Sequence, residues 1–161
     1  MVRGWLVAFT DDPRVPRAWW DLLFCRRGFR HAMAWGWDHE AGVWLVYSVY
    51  HARTLVAALP PGPEADALIG GVVAVSSHVL RYEPPAEPER GPMPRLGMWC
   101  APAVAHLLGV RSRALVPVQL FRDLRARGAE LLYEADRGWI TERTADRSGG
   151  GGSESPGACA G

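Results

Sequence analysis

Apolar and polar positions alternate at the start of the chain and then give way to helical spacing. One side of the segment 3–10 carries three large apolar side chains, with the two-residue period of a half-buried strand. Residues 17–27 carry apolar side chains three and four positions apart, and a glycine follows them as a helix stop. The pattern therefore predicts a strand followed by a helix.

A β-hairpin is the clearest prediction in the first half. Segments 31–38 and 43–53 both alternate, and the loop between them ends in a glycine that can take a positive φ. Odd-numbered positions form the more apolar side of both strands, so we expect those two sides to pair and face the core. A turn centred on Ala41 makes the numbers of facing residues sum to 82. His31 then lies opposite His51, with Cβ atoms about 5 Å apart.

Prolines and glycines divide the rest of the chain into short elements. Residues 55–59 are predicted to form a helical turn before a Pro-Pro-Gly-Pro run, and five prolines between 83 and 94 predict a loop. Further elements are predicted as a helical turn at 64–69, a strand at 71–81, helices at 99–108 and 116–127, and short strands at 130–134 and 139–141. This order predicts an α+β fold, an antiparallel sheet meander with helices packed on one face.

Composition adds a domain boundary and excludes several classes of partner. The chain has 161 residues, 48% of them hydrophobic, which suits a single α+β domain that we assign to residues 1–143. Residues 144–161 are rich in glycine and serine without large apolar side chains, which predicts a flexible tail. A net charge of +1 gives no reason to expect nucleic-acid binding, and no apolar stretch approaches the length of a membrane span. We therefore expect a chain that is cytoplasmic at synthesis.

Cysteine usage narrows the candidate chemistry to one residue. The three cysteines form no CxxC pair, so neither a disulfide framework nor a zinc site is predicted. Cys25 lies among core-type residues and Cys159 lies in the tail, whereas Cys100 falls at the start of a predicted helix. A helix N-terminus lowers the pKa of a thiol, which makes Cys100 a candidate nucleophile. His31 is a candidate base, and His51 on the next strand can hold its orientation. No metal and no cofactor are expected.

The order of these residues resembles a known family. GFRH opens a predicted strand, a second polar residue follows on the next strand, and WCAPAVAHLLG opens a predicted helix. This arrangement, covering about residues 29–109, is similar to circularly permuted NlpC/P60-type (papain-like) cysteine hydrolases, in which the histidine precedes the cysteine. The resemblance implies Cys100 as the nucleophile, His31 as the base and His51 as the third polar residue. Trp99 departs from the polar residue that permuted relatives often carry before the nucleophile.

The third residue of the site has alternatives. It varies between groups of the family, so Ser48, Tyr50 and Asp38 stand beside His51. The spacing of the strand histidines is not typical of a metal site. The zinc site considered on these strands would consist of His31, His51 and His78.

Two functions of different classes follow. The first is a cysteine-dependent hydrolase or acyltransferase that acts on an amide, ester or thioester bond of a peptide or acyl substrate. The second is a non-catalytic phage or prophage accessory or structural protein, because GFRHAMAW, MWCAPAVAHLLG and VPVQLFRDL resemble small phage- and prophage-encoded proteins. Such a protein would be virion-associated and would bind a protein partner through a tryptophan-rich surface. The tryptophans in question are Trp19, Trp20, Trp35, Trp37, Trp44 and Trp99. For Trp35 and Trp37, on the inferred core face, packing is the simpler interpretation.

Overall fold

A computed structural model of the chain describes residues 2–12, 19–50, 53–87 and 99–140. The strands within these ranges are β1 (Val2–Thr10), β2 (His31–Asp38), β3 (Val43–Val49), β4 (Thr54–Leu59), β5 (Ser76–Tyr82), β6 (Glu130–Glu134) and β7 (Gly138–Trp139). The helices are α1 (Trp19–Phe24), α2 (Pro63–Ala74), α3 (Cys100–Leu107) and α4 (Pro117–Ala126). The predicted tail at 144–161 lies outside the described residues.

The strands form one antiparallel sheet in the order β4-β3-β2-β1-β5-β6-β7. Strands that follow each other along the chain also lie side by side, except where β5 returns to pair with β1. Helix α2 makes that connection, from the outer strand β4 to the centre of the sheet. The predicted α+β class with an antiparallel sheet is confirmed.

Helices cover both faces of the sheet, so the prediction that they pack on one face is wrong. Strand β2 shows the reason. Its small residues Ala32 and Ala34 pack in the cluster beneath α3 and α4, and its large residues Met33 and Trp35 pack in the cluster beneath α2. We call these two sides the α3–α4 face and the α2 face. Alanine lets a helix approach the sheet closely, so the side of β2 with little apolar volume is buried as well.

The segment between β3 and β5 also differs from the prediction. Residues 55–59, expected as a helical turn, belong to strand β4, which pairs with β3 without a bulge. The expected turn at 64–69 and the beginning of the expected strand at 71 form one helix, α2. Pro63 fits the first turn of that helix, and Val72 and Val73 pack against the sheet. Burial of this apolar side outweighs the modest strand preference of valine.

The two helices expected in the second half are confirmed. Both end before a glycine in the left-handed region, Gly109 with φ 65° and Gly128 with φ 88°. Leu120 and Leu124 of α4 are fully buried on the α3–α4 face. No helix in the described ranges is long and apolar enough to cross a membrane.

Candidate active site

The register of the β2–β3 hairpin decides which side chains can meet. Met33 faces Ser48 and Trp35 faces Val46, so the numbers of facing residues sum to 81. The predicted register is therefore wrong by one residue. A slip of one residue exchanges the two faces of β3 relative to β2. The even-numbered residues of β3, and not the odd-numbered ones, share a face with His31.

The hairpin loop accounts for this register. The Asp38 carboxylate accepts hydrogen bonds from the backbone N–H groups of Glu40 and Ala41, at 3.0 and 3.3 Å. Gly42, with φ 65°, donates its N–H to the Asp38 carbonyl at 2.8 Å. A four-residue loop closed in this way centres the turn between Glu40 and Ala41. Asp38 therefore organises the turn, at the opposite end of β2 from His31.

His31 is held by two residues of the neighbouring chain segment. Its Nε2 lies 2.8 Å from Oγ of Ser48, within hydrogen-bond distance. Its ring stacks on Tyr50 with ring centroids 4.9 Å apart and an angle of 13° between the planes. Ser48 is fully buried and Tyr50 is 43% exposed, so the imidazole is fixed on its inner side and lies beside a residue that reaches solvent. These contacts fix the orientation of the ring.

The backbone that leads into His31 is anchored as well. Arg30 donates its N–H to the carbonyl of Thr10 at 3.0 Å, which joins the start of β2 to the end of β1. The Asp11 carboxylate accepts the N–H of Gly28 at 2.9 Å and lies 3.5 Å from the Arg30 guanidinium. Both charged side chains are mostly buried, with 10% and 14% exposure. The loop after α1 therefore has a defined course into the candidate site.

Cys100 is the first residue of α3, as predicted. Trp99 is the N-cap, with extended backbone, and its carbonyl accepts the N–H of Ala103 at 3.1 Å. Pro102 has no N–H, so the first-turn N–H groups of the helix are those of Cys100 and Ala101. The positive end of the helix dipole favours the thiolate form of a cysteine at this position. The residue is partly buried.

The thiol and the imidazole belong to different faces of the sheet. Cys100 packs against the cluster of the α3–α4 face, which contains Ala32 and Ala34. His31 bonds Ser48, which faces Met33 on the α2 face. The structure thus joins His31 to Ser48 and Tyr50, two of the alternatives for the third residue. The pairing that put His31 opposite His51 does not hold in this register, and His51 itself lies outside the described residues.

His78 occupies an aromatic environment that its position in the sequence does not indicate. Its ring stacks on Phe29 at a centroid distance of 4.9 Å and meets Phe121 edge-on at 5.0 Å. Its Nε2 lies 3.7 Å from a carboxylate oxygen of Glu134. Burial lowers the pKa of His78 below its ordinary value, and the nearby Glu134 and Asp136 oppose that shift. The aromatic neighbours come from other elements, so only the packed fold reveals this site.

The other histidines and cysteines that the structure describes do not assemble into a second centre. His31 lies on the α2 face and His78 beside α4, so the zinc alternative is not supported. Within the described ranges, no group of three or more histidine, cysteine or acidic residues is placed to hold a metal ion. Cys25 and Cys100 are both thiols and form no disulfide. His106 on α3 is exposed.

The tryptophans divide between core and surface. Trp35 is 2% exposed, which confirms its expected role in the core. Trp37 and Trp44 face each other across the hairpin, with ring centroids 5.3 Å apart. Trp19 and Trp99 are 68% and 52% exposed. The side chain of Trp20 lies outside the described part of the structure.

The described residues include three features that acyl transfer uses, distributed over the two faces of the sheet. They are a cysteine at a helix N-terminus, a histidine oriented by a buried hydroxyl, and first-turn N–H groups able to stabilise an oxyanion. Comparison with protein-family models, with curated proteins and with solved structures found no match to this chain.

Proposed function

We propose that the chain is a cysteine-dependent acyl-transfer enzyme, a hydrolase or acyltransferase that acts on an amide, ester or thioester bond. In this proposal Cys100 is the nucleophile, His31 is the base and Ser48 is the positioning residue for His31. The observation that carries it is the 2.8 Å contact between Nε2 of His31 and Oγ of Ser48. A base held in this way by a third residue on the adjacent strand is the arrangement that an activated nucleophile needs.

The contact with Ser48 assigns different tasks to the two ring nitrogens. When Nε2–H donates to Ser48, Nδ1 carries the lone pair that accepts the thiol proton. Stacking on Tyr50 restricts rotation of the ring out of this orientation. Ser48 therefore acts on the reaction through the tautomer and direction of His31.

The reaction proceeds in two balanced steps. The Cys100 thiolate attacks the substrate carbonyl carbon, and the N–H groups of the first turn of α3 stabilise the oxyanion. The imidazolium of His31 gives its proton to the leaving amine, alcohol or thiol, which leaves a thioester on Cys100. Water or another acceptor then loses a proton to His31 and attacks this thioester, and the acyl product is released.

The position of the two residues sets a geometric requirement. Cys100 packs on the α3–α4 face and His31 on the α2 face, but each is the first residue of its element. For this reaction the thiol and Nδ1 have to meet around the end of β2, because the sheet separates the two faces. The substrate carbonyl must bind at that end, beside Tyr50.

The test is detection of the acyl-enzyme. The protein is incubated with a p-nitrophenyl acyl ester, and intact mass and tryptic peptides are measured. Trypsin places each cysteine on a separate peptide, and Cys100 lies on residues 96–111. We expect acylation of that peptide and continuing turnover in the wild type, slower acylation without turnover in His31→Ala, and neither at this position in Cys100→Ala. His39→Ala, at the exposed hairpin loop, is the matched control and should behave as wild type.

The proposal fails if Cys100 is acylated no faster than Cys25 and Cys159, or if His31→Ala keeps the wild-type turnover. Circular dichroism of each variant shows that the fold is retained. A loss of turnover in His51→Ala together with normal turnover in His31→Ala would reassign the base.

A second candidate function is the binding of a protein partner, and α1 favours it. Trp19 and Leu23 are each 68% exposed, and Phe24 is 57% exposed. Large apolar side chains gathered on one surface helix are typical of an interaction site. A folded chain that forms no acyl-enzyme, and whose binding to a partner is lost in Trp19→Ser, would support this function over the first.

A further inference from the structure

The two outer strands of the described sheet differ in how they are protected. β7 has two residues and is preceded by Arg137, which pairs with Glu134 of β6 at 3.4 Å. Short length and charge are ordinary means of preventing an edge strand from pairing with another chain. β4 has six residues, TLVAAL, with no charge and no proline, and its pairing with β3 has no bulge. β4 therefore has none of these protections within its length.

The backbone groups of β4 that point outward can be identified. The N–H of Tyr50 donates to the carbonyl of Arg53 at 2.8 Å, so Arg53 directs its polar groups toward β3. In an antiparallel pair this direction alternates from one residue to the next. The N–H and C=O groups of Thr54, Val56 and Ala58 therefore point away from the sheet. The same three residues carry exposed side chains, and Val56 is 71% exposed.

We propose that β4 pairs with β4 of a second copy of this chain, antiparallel and across a two-fold axis at Val56. In this register Val56 faces Val56 and Thr54 faces Ala58, so all three outward-pointing residues of each strand form hydrogen bonds. Arg53 faces Leu59 of the other copy, so like charges do not meet. A shift of one step toward Pro60 would lose a hydrogen bond, because proline has no N–H. The sequence of β4 is therefore self-complementary when Val56 faces Val56.

A second copy fits this edge because a two-fold axis makes the same strand serve both sides and closes the assembly at two chains. β4 has no charged side chain, so it does not favour a charged peptide over a second copy. A pair of six-residue strands is smaller than a standard interface of about 1,600 Å². We therefore expect a dimer that forms at high protein concentration and dissociates on dilution. This inference does not depend on the acyl-transfer proposal.

Register-specific cross-linking tests the pairing. In a hydrogen-bonded antiparallel pair, facing Cα atoms are about 5.5 Å apart, within the range that a disulfide spans. Val56→Cys should therefore form an intermolecular disulfide under mild oxidation. Trypsin releases residues 54–81 as a peptide without a native cysteine, so mass spectrometry identifies this cross-link as a dimer of that peptide. Thr54→Cys alone should not cross-link through position 54, whereas a mixture of Thr54→Cys and Ala58→Cys should.

Sedimentation of the proteins that carry no introduced cysteine measures the dimer fraction independently. The wild type should show a dimer fraction that rises with concentration. Val56→Lys should reduce that fraction severalfold, because it places two like charges opposite each other. Trp139→Lys changes an exposed apolar residue on the other edge strand and should have no effect. The proposal is overturned if the wild type is monomeric throughout, if Thr54→Cys cross-links as well as Val56→Cys, or if the two lysine variants behave alike.

Discussion

Ser48 offers the sharpest test of how the candidate site is built. Threonine and valine have nearly the same shape, so Ser48→Thr and Ser48→Val impose similar packing changes at this buried position on β3. The two variants differ in one hydroxyl. Threonine can keep the hydrogen bond to Nε2 of His31, and valine removes it. Any difference in the reactivity of Cys100 therefore reports on this hydrogen bond.

The expected size of the difference follows from the energy of one hydrogen bond. The contact is 2.8 Å long and its serine is fully buried, so its net worth is about 0.5–1.5 kcal/mol. A factor of ten in rate corresponds to about 1.4 kcal/mol. If this energy holds His31 in its reactive orientation, Ser48→Val should alkylate Cys100 roughly two- to tenfold more slowly than Ser48→Thr.

The assay is the rate of iodoacetamide alkylation of the Cys100 peptide between pH 6 and pH 8, with the Cys25 peptide as internal reference. Ser48→Thr should keep a rate close to that of the wild type. Equal rates for Ser48→Thr and Ser48→Val, with both proteins folded, would refute the idea that Ser48 positions His31.

Three further predictions concern stability. Burial lowers the pKa of His78 below 6.5, so the unfolded chain binds a proton that the folded chain resists. The stability present above pH 6.5 is therefore lost as the pH falls toward the folded pKa. His78→Phe lacks this loss, so its free energy of unfolding in urea should rise relative to that of the wild type between pH 7.5 and pH 5. A constant difference between the two proteins would contradict this. At Gly36 an added Cβ would lie 2.5 Å from Cγ1 of Val2 on the adjacent strand. Gly36→Ala should therefore cost about 1–3 kcal/mol and lower the Tm, and an unchanged Tm would show that β1 gives way. Asp11→Ala removes the carboxylate that holds the backbone before β2 and pairs with Arg30. It should cost about 1–3 kcal/mol, and a urea midpoint equal to that of the wild type would show that this anchor is unimportant.

The hairpin shows how far sequence pattern reaches. Both strands were predicted; β2 has the predicted bounds at 31–38, whereas β3 ends at Val49 and not at residue 53. The register was missed because both faces of β2 are buried, so alternation does not say which side is the core. The decisive signal was Asp38, whose carboxylate binds the turn. An aspartate followed by a glycine four residues later is a local pattern that could have favoured the observed loop.

The positions of the candidate site residues could be predicted only in part. Pro102 and the glycine after α3 place Cys100 in the first helical turn, and this depends only on local sequence. The partner of His31 depends on the register, so the selection of Ser48 from the alternatives had to come from the folded sheet. The aromatic surroundings of His78 join distant segments and have no local signal.

The segment 54–74 was mispredicted because its local preferences conflict with its environment. β4 contains two alanines and two leucines, which suit a helix, yet it gains a partner strand in β3. The valines near the end of α2 suit a strand, yet they bury an apolar side against the sheet. Packing decided both cases.

The dependence of Cys100 on His31 is tested most directly by the pH profile of Cys100 alkylation in the wild type and in His31→Ala. An ordinary thiol has a pKa of about 8.5. We predict a lower apparent pKa for Cys100 in the wild type and a return toward the ordinary value in His31→Ala. A thiol with a lowered pKa is expected to react faster at pH 6, because the gain in thiolate outweighs its weaker nucleophilicity. Identical profiles in the two proteins would contradict the proposed Cys100–His31 pair.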